Sequence, residues 1–418
     1  MTAETPSPSP NAPVPPGPPS ADPPGQDRRP RDRVPMYGDD FAADPQALYD
    51  EMRLHGPLAP VELAPGVEAT LVVGYDAALE VLRDPGTFPK NPSRWEKTVP
   101  ADCPVLPMMA YRPNVLCADG EVHTRLRAPI NDAMARVDTI ELREDVENAA
   151  DRLLDDFAGA GEADLVGQYA RALPLLVMSD MFGCPPDIGG RLVYGMSGIF
   201  DLERAEEANA VLTQAVFDLV TLKRERPGQD VTSWMAGHPV GLTDEEMAHN
   251  LVNMLGAGTE PQQSLIANGV RLLLTDDRFA GDLSGGNLPV EDALDEILWT
   301  DPPMANYSST YPVRDVDFAG HRLPADRPVL VSFAAANTDP SRATRGRTGN
   351  RAHLAWSAGP HTCPAKGHAR LIASVAIERL LDRLPDLELA VPAEELTWRP
   401  GPFHRALTAL PVRFPPAR

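Results

Sequence analysis

Cys363 is the residue of this chain whose type and position are best suited to chemistry. It lies in the segment WSAGPHTCPAKGHARLIASVAIERLL, residues 356–381, in a loop of glycine and proline directly before an amphipathic helical pattern. The N-terminus of a helix stabilises negative charge and leaves backbone N–H groups free to point at sulfur, so a thiolate is favoured there. A small buried side chain is the more common fate of a lone cysteine. Cys363 by itself is therefore compatible with two interpretations, a thiolate ligand and a packing residue.

A second candidate is the pair His123 and Arg127 in the segment HTRLR. Residues four apart lie on one face of a helix, where an imidazole and a guanidinium can together hold a carboxylate. The alternative is a solvated helix face, because arginine is mostly exposed in proteins.

Helices must position most of these residues. Past Tyr37, apolar residues recur at intervals of three and four in segments such as 139–157 and 212–226, which predicts helix. Only residues 68–73 and 327–333 have the composition of short strands. The sequence therefore predicts a fold that is mainly α with minor β.

The longest predicted helix covers residues 242–276. It begins with Thr243 and has Glu246 three residues later, the signature of a capping box. Pro261 lies inside it, cannot donate to the carbonyl of Ala257 and crowds that carbonyl, so we expect a kink there. The free carbonyl could hold a water, or the kink has no chemical role; both interpretations stay open.

Composition excludes several classes of function. The formal charge is -22, from 60 acidic against 38 basic residues, which disfavours nucleic acid and anionic membrane surfaces. The four cysteines form no CxxC pair and there is no apolar run of 18 residues, so we expect a cytoplasmic protein without a membrane segment. Residues 1–36 are rich in proline, which predicts a disordered tail before a single domain of residues 37–418.

The cysteine loop resembles the haem-binding loop of the cytochrome P450 superfamily, the haem-thiolate monooxygenases. That loop has an aromatic residue, Gly, His or Arg, Cys and Gly at fixed spacing, and this chain has Trp356, Gly359, His361, Cys363 and Ala365 at these places. Four further segments follow the family order, namely HTRLR, AGTE at 257–260, DEILWTDPP at 295–303 and ANTDP at 336–340, and the C-terminal segment 383–401 is similar as well.

The resemblance implies a P450 fold with a long central helix over haem b, and it implies Cys363 as the ligand of the iron. It further implies that His123, Arg127 and His353 bind the haem propionates and that Trp356, Gly359 and His361 form the cofactor-binding loop. The family often has a further propionate-binding arginine at the place that Thr310 occupies here, so that contact has no counterpart at this position.

Three other departures from the family pattern bear on mechanism. Pro261 follows Glu260 where the family has a threonine that helps to deliver protons, so Glu260, Pro261 and the Ala257 carbonyl are the catalytic candidates. Pro364 removes one N–H that would bond the sulfur. Trp299 replaces the arginine that pairs with Glu296 in the family.

We expect Glu296 to be buried with Arg342 or Arg345 as its partner, the alternative being a solvent-facing Glu296 beside a packed Trp299.

The resemblance predicts a bacterial monooxygenase of secondary metabolism that inserts one oxygen atom from O2 into a small apolar substrate. Electrons would come from a ferredoxin and its reductase, with the ferredoxin docking on the basic run Arg342, Arg345, Arg347 and Arg351. A peroxide-driven or non-oxygenating haem enzyme and a non-catalytic haem-binding or sensor protein remain alternatives. The predicted substrate-facing residues are Asn253, Asn306, Tyr307 and Phe403.

Overall fold

The predicted long helix is present. In the computed structural model, which describes residues 33–198, 205–276, 290–342 and 349–416, this helix spans Asp244–Thr275. The capping box is also present, because the Glu246 N–H donates to Thr243 Oγ1 over 3.1 Å and the Thr243 N–H donates to the Glu246 carboxylate over 3.0 Å. The helix continues through Pro261 without a break. The kink at Pro261 stays a prediction.

Helices make up most of the described chain, as the apolar periodicity predicts. Residues Val166–Ala170 add a short π-helix and Gly359–His361 a 3₁₀ turn. The α-helices are α1 Asp39–Ala43, α2 Pro45–Arg53, α3 Tyr75–Arg83, α4 Leu106–Met109, α5 Gly120–Met134, α6 Thr139–Phe157, α7 Ala172–Met181, α8 Pro186–Gly198, α9 Ala205–Glu225, α10 Val231–Ala236, α11 Asp244–Thr275, α12 Val290–Thr300, α13 Phe333–Asn337 and α14 Lys366–Arg383.

The strands form three small sheets. The largest has the order β1-β2-β3-β8-β5, and the two strands that the sequence predicts, β3 and β8, are parallel neighbours within it. A second sheet has the order β4-β10-β9, and β6 pairs with β7. The strands are β1 Val34–Pro35, β2 Leu58–Ala64, β3 Val67–Val72, β4 Glu162–Asp164, β5 Asn306–Thr310, β6 Val316–Phe318, β7 His321–Leu323, β8 Val329–Ser332, β9 Glu388–Leu389 and β10 Pro411–Arg413.

The boundary predicted for the N-terminal tail is wrong by a few residues. Val34–Pro35 pair with β2 in a parallel register, and Met36 is fully buried. An edge pairing and one buried methionine are enough to order this segment, although its composition is like that of the residues before it. Residues 1–32, where the rest of the predicted tail falls, lie outside the described residues.

Helix α11 lies at the centre of the main apolar core. Its Leu265, Ile266 and Val270 belong to one buried cluster with residues of α12 and α14, including Ile377. A Cβ at Gly269 would lie 2.8 Å from Ile377 Cδ1, so the missing side chain lets α14 approach α11 closely. Each buried aliphatic side chain contributes about 1.5–3 kcal/mol to this packing. The core therefore holds the N-terminus of α14, and with it the cysteine loop, in a set position.

No helix among the described residues combines the length and the apolar character that crossing a membrane requires.

Candidate active site

The cysteine loop folds back on itself before α14. The Cys363 N–H donates to the Trp356 carbonyl over 2.9 Å, and the Thr362 N–H donates to the Gly359 carbonyl over 3.1 Å. Gly359 has φ +67°, and a Cβ there would collide with the Leu82 carbonyl at the end of α3. Only glycine meets both conditions, so the loop conformation and its contact with α3 depend on that residue.

The groups around the Cys363 sulfur shift the pKa of its thiol in opposite directions. Burial raises the pKa of the thiol, whereas a hydrogen bond from the Ala365 N–H and the positive charges of Arg127 and Lys366 lower it. Pro364 has no N–H, as noted from the sequence, and the residue after it supplies the donor instead. A metal ion displaces the proton of a thiol outright, and these donors and cations then stabilise the thiolate.

Two histidines of the predicted cofactor site lie in contact. The rings of His123 on α5 and His361 in the cysteine loop are 4.2 Å apart between centroids, at 48°. Their Nε2 atoms are both buried without a hydrogen-bond partner among the described residues. Burial, with the nearby charges of His361 and Arg127, lowers the pKa of His123 to about 4. His123 is therefore a neutral imidazole with one polar atom left to bond.

His353 has the same character. It is buried, its Nδ1 has no partner within the described part of the chain, and burial lowers its pKa to about 4. Buried polar atoms are almost always hydrogen-bonded in folded proteins. Unbonded ring nitrogens on His123, His353 and His361 therefore fit a bound ligand that carries acidic groups. The residues present thus fit a haem with its propionates.

Arg127 contacts the cysteine loop directly. Its guanidinium donates to the Thr362 carbonyl and, over 2.8 Å, to Asn131 Oδ1. It therefore links α5 to the residue before the cysteine. Its role as a propionate ligand stays a prediction.

The acid of the long helix is paired, which the sequence did not reveal. Glu260 on α11 forms an ion pair with Arg399, and both groups act on the nearby His404. Burial lowers the pKa of His404 to about 4, Glu260 opposes that shift and Arg399 adds to it. Three ionisable groups therefore lie together beside Pro261, one turn after the exposed Ala257. No spacing rule joins residue 260 to residues 399 and 404.

The prediction that Arg342 or Arg345 pairs with Glu296 is corrected for Arg342. Arg342 pairs with Asp76 over 2.6 Å, and Arg345 lies outside the described residues. The buried carboxylate of α12 is that of the preceding residue, Asp295, because the helical phase turns position 295 into the core and leaves Glu296 half-buried.

Asp295 contacts two arginines that flank the cysteine loop. Its carboxylate accepts from Arg351 Nε over 3.0 Å and from the guanidinium of Arg370 on α14. Arg370 also pairs with Glu291. No pattern in the sequence indicated this Asp295 network, although Asp295 belongs to the segment DEILWTDPP that carries the resemblance.

Trp299 is buried and well packed, as the alternative interpretation of this helix has it. Its indole N–H donates to the Asn350 carbonyl over 2.7 Å, and its ring meets the His353 ring edge to face at 5.7 Å between centroids. It thus ties α12 to the segment just before the cysteine loop.

The predicted substrate-facing residues divide into two groups. The prediction that Asn306 faces a substrate is corrected. Its amide oxygen accepts from the Tyr49 hydroxyl over 3.0 Å and its amide nitrogen donates to the Pro402 carbonyl over 3.0 Å, inside the protein. Tyr307 donates its hydroxyl to the Met108 carbonyl over 2.8 Å and packs edge to face with Phe403. These two rings, with the half-buried Asn253 on α11, remain candidates for contact with a substrate.

Two arginines of the predicted ferredoxin-docking surface are paired with acidic side chains, so this surface carries less free positive charge than the run of arginines in the sequence suggests. The charge of Arg342 is met by Asp76 and that of Arg351 by Asp295 and Glu291. The remaining arginines of the run, at 345 and 347, lie outside the described residues.

Comparison with known proteins identifies the family. The chain is 35% identical over 394 residues to the cytochrome P450 monooxygenase PikC of Streptomyces venezuelae, which covers 90% of this chain and 92% of the relative. It is 29% identical to the 6-deoxyerythronolide B hydroxylase of Saccharopolyspora erythraea, over 90% of this chain and 97% of the relative. No protein-family model matches the chain.

Solved structures agree with the sequence relatives. The structure of CYP154C4 from Streptomyces sp. ATCC 11861 superposes with a TM-score of 0.82 at 29% identity, covering 91% of this chain and 98% of the other. That of CYP154A1 from Streptomyces coelicolor has a TM-score of 0.78 at 27% identity, covering 91% and 100%. The P450 fold implied by the motifs is therefore confirmed, and with it a haem cofactor. The chain belongs to the bacterial cytochrome P450 monooxygenases, a family of oxidoreductases.

Proposed function

We propose that the protein inserts one oxygen atom from O2 into an apolar intermediate of secondary metabolism, using haem b bound at Cys363 and electrons from a ferredoxin and its reductase. The observation that carries the proposal is the joint presence of a cysteine sulfur that accepts from the Ala365 N–H and of buried imidazole nitrogens on His123, His353 and His361 that have no hydrogen-bond partner among the described residues. A polyketide is the proposed substrate class, because several relatives carry names such as 6-deoxyerythronolide B hydroxylase, mycinamicin IV hydroxylase/epoxidase and polyketide biosynthesis P450 PksS.

The residues of this chain have separate tasks in such a reaction. Haem, when bound, supplies oxygen activation, and a thiolate ligand favours cleavage of the O–O bond. His123 and His353 hold the propionates through their free ring nitrogens, while the Ala365 N–H limits the electron density on the Cys363 sulfur. The aromatic pair Tyr307 and Phe403 provides an apolar wall that orients a substrate and keeps water out.

Glu260 is the proposed acid of the distal side. Its ion pair with Arg399 fixes its position, and the Ala257 carbonyl that Pro261 cannot bond is available to a water nearby. Protons would then reach the site through Glu260 and this water rather than through a threonine hydroxyl.

The test is turnover with two alternative oxidant supplies. Purified protein is given a polyketide macrolactone with NADPH, ferredoxin and ferredoxin reductase under ¹⁸O2, or with hydrogen peroxide alone. We expect a hydroxylated product that carries ¹⁸O only in the first case. Product formed with peroxide alone would favour the peroxide-driven alternative, and the absence of product with a full haem spectrum would favour the non-catalytic one.

Pro261→Thr should improve coupling, since the threonine hydroxyl offers a fixed proton donor beside Glu260. We expect more product per NADPH consumed and less hydrogen peroxide released. Pro261→Ala is the matched control, because it restores the N–H that bonds the Ala257 carbonyl without adding a hydroxyl.

The ratio of product to peroxide is the measurement for both variants. A gain in Pro261→Thr but not in Pro261→Ala assigns the effect to the hydroxyl. Equal ratios in the two variants and in the native protein, at equal haem content, would remove position 261 from the proton path.

A further inference from the structure

Lys90 is a buried lysine whose ammonium contacts only neutral oxygens. It is 7% exposed, and Nζ donates to Ser308 Oγ over 2.6 Å and to the Ser308 carbonyl over 3.0 Å. The Ser309 carbonyl lies farther away, at 3.4 Å. Burial lowers the pKa of Lys90 to about 8, and Asp119 opposes the shift only in part. Lysines are almost never this buried unless a counter-charge pairs with them, and no carboxylate among the described residues contacts this ammonium.

Lys90 belongs to a group of residues that we call the Lys90 cluster: Lys90, Asp119, His123 and His361. The Lys90 backbone N–H donates to Asp119 Oδ2 over 2.6 Å, and Asp119 Oδ1 lies 3.5 Å from His361 Nε2 without the geometry of a hydrogen bond. His361 stacks on His123. Contacts therefore run without a break from Lys90 through Asp119 to the two imidazoles.

The polar atoms of the cluster are incompletely bonded. Asp119 Oδ1, His123 Nε2 and His361 Nε2 are buried and lack a hydrogen-bond partner among the described residues. The Lys90 ammonium bonds neutral oxygens and no carboxylate among the described residues, and Asp119, whose Oδ2 accepts from the Lys90 backbone N–H, is the one negative charge within the cluster. An anionic oxygen group supplied from outside the protein would satisfy these donors together.

We propose that the ammonium of Lys90 binds a haem propionate, beside His123. This proposal rests on haem binding at Cys363. It is consistent with Thr310, the place at which the resemblance implies an arginine, because the Thr310 hydroxyl donates to the Val329 carbonyl inside the sheet and carries no charge. Lys90 brings the positive charge to the same strand, β5, from a different part of the chain by bonding Ser308.

A purely structural role for Lys90 makes a different prediction. Ser308 has φ +53° within β5, and a lysine that only stabilises this strained residue would affect the strand but not the propionate. The test therefore needs a signal from the propionate itself. The propionate bending bands of the resonance Raman spectrum of the holoenzyme report hydrogen bonds to these groups.

The experiment compares Lys90→Gln, Lys90→Met and Lys90→Arg with the native holoenzyme, and uses Lys223→Met as the control. Lys223 is another little-exposed lysine, with 11% of its side chain accessible, but its ammonium forms an ion pair with Asp230 at 2.7 Å. Two quantities are measured: the propionate bending bands, and the rate at which haem transfers to excess apomyoglobin. Loss of a charged hydrogen bond should speed haem transfer about ten-fold.

We expect a shifted propionate band and faster haem loss in Lys90→Gln and Lys90→Met, and near-native values in Lys90→Arg and Lys223→Met. Lys90→Gln keeps a donor to Ser308, so it remains informative if Lys90→Met yields no holoenzyme. An unchanged band in Lys90→Gln overturns the proposal, whether or not haem loss is faster. Failure of the native protein to bind haem would instead reject the proposed function.

Discussion

Cys363→Ala abolishes the red-shifted absorption band that marks the carbon monoxide adduct of thiolate-ligated ferrous haem. This is the largest effect that we expect from any single substitution, because the band requires a cysteine thiolate as the ligand and Cys363 is the residue proposed to supply it. The loop that carries Cys363 is held by backbone hydrogen bonds to the Trp356 and Gly359 carbonyls, so its fold does not depend on the sulfur. The measurement is the difference spectrum of the reduced, carbon monoxide-bound protein.

The control for this prediction is Cys184→Ala. Cys184 is half-buried after α7, and burial raises the pKa of its thiol to about 12, so it is a packing residue rather than a thiolate. Its replacement should leave the band unchanged. Retention of the band in Cys363→Ala would refute the ligand assignment.

Asp295→Asn should lower the free energy of unfolding by about 3 kcal/mol and reduce the haem content of the purified protein. Removing one member of a buried ion pair leaves a charge without compensation, a loss of about 3 to 5 kcal/mol in other proteins. Here Glu291 stays to pair with Arg370, which places the expected value at the lower end. The haem content falls because Arg370 and Arg351 join α12 to both sides of the cysteine loop.

Urea unfolding of the native protein and the variant gives this difference. Asp155→Asn is the matched control, since Asp155 also pairs with an arginine, Arg383, but its side chain is 69% exposed. Exposed pairs contribute about 0–1 kcal/mol, so the control should lose little. Equal losses in the two variants would show that the Asp295 network is not the buried support that its geometry indicates.

The sequence predicted well the features that depend on neighbouring residues. The capping box of Thr243 and Glu246, the course of α11 and the strands β3 and β8 follow from local hydrogen bonding and side-chain periodicity, and the structure confirms them. The predicted boundary of the N-terminal tail was wrong because it depends on a residue contact that is distant in sequence. Whether Val34–Pro35 form a strand depends on β2 lying alongside, and no local signal reports that.

The site divides in the same way. Motif order and spacing alone determined the family, the place of Cys363 before a helix N-terminus, and the loss of a hydroxyl at Pro261, because these are properties of residue types along the chain. Only the tertiary structure decided which polar groups pair. Glu260 forms an ion pair with Arg399 and Asp295 with Arg370, and the Asp119 carboxylate accepts a hydrogen bond from the Lys90 backbone N–H. Residues far apart in sequence reach each other when the core brings α11, α12 and α14 together. The free energy of a charge depends on the groups that replace its water, so burial and pairing appear only once the chain is folded.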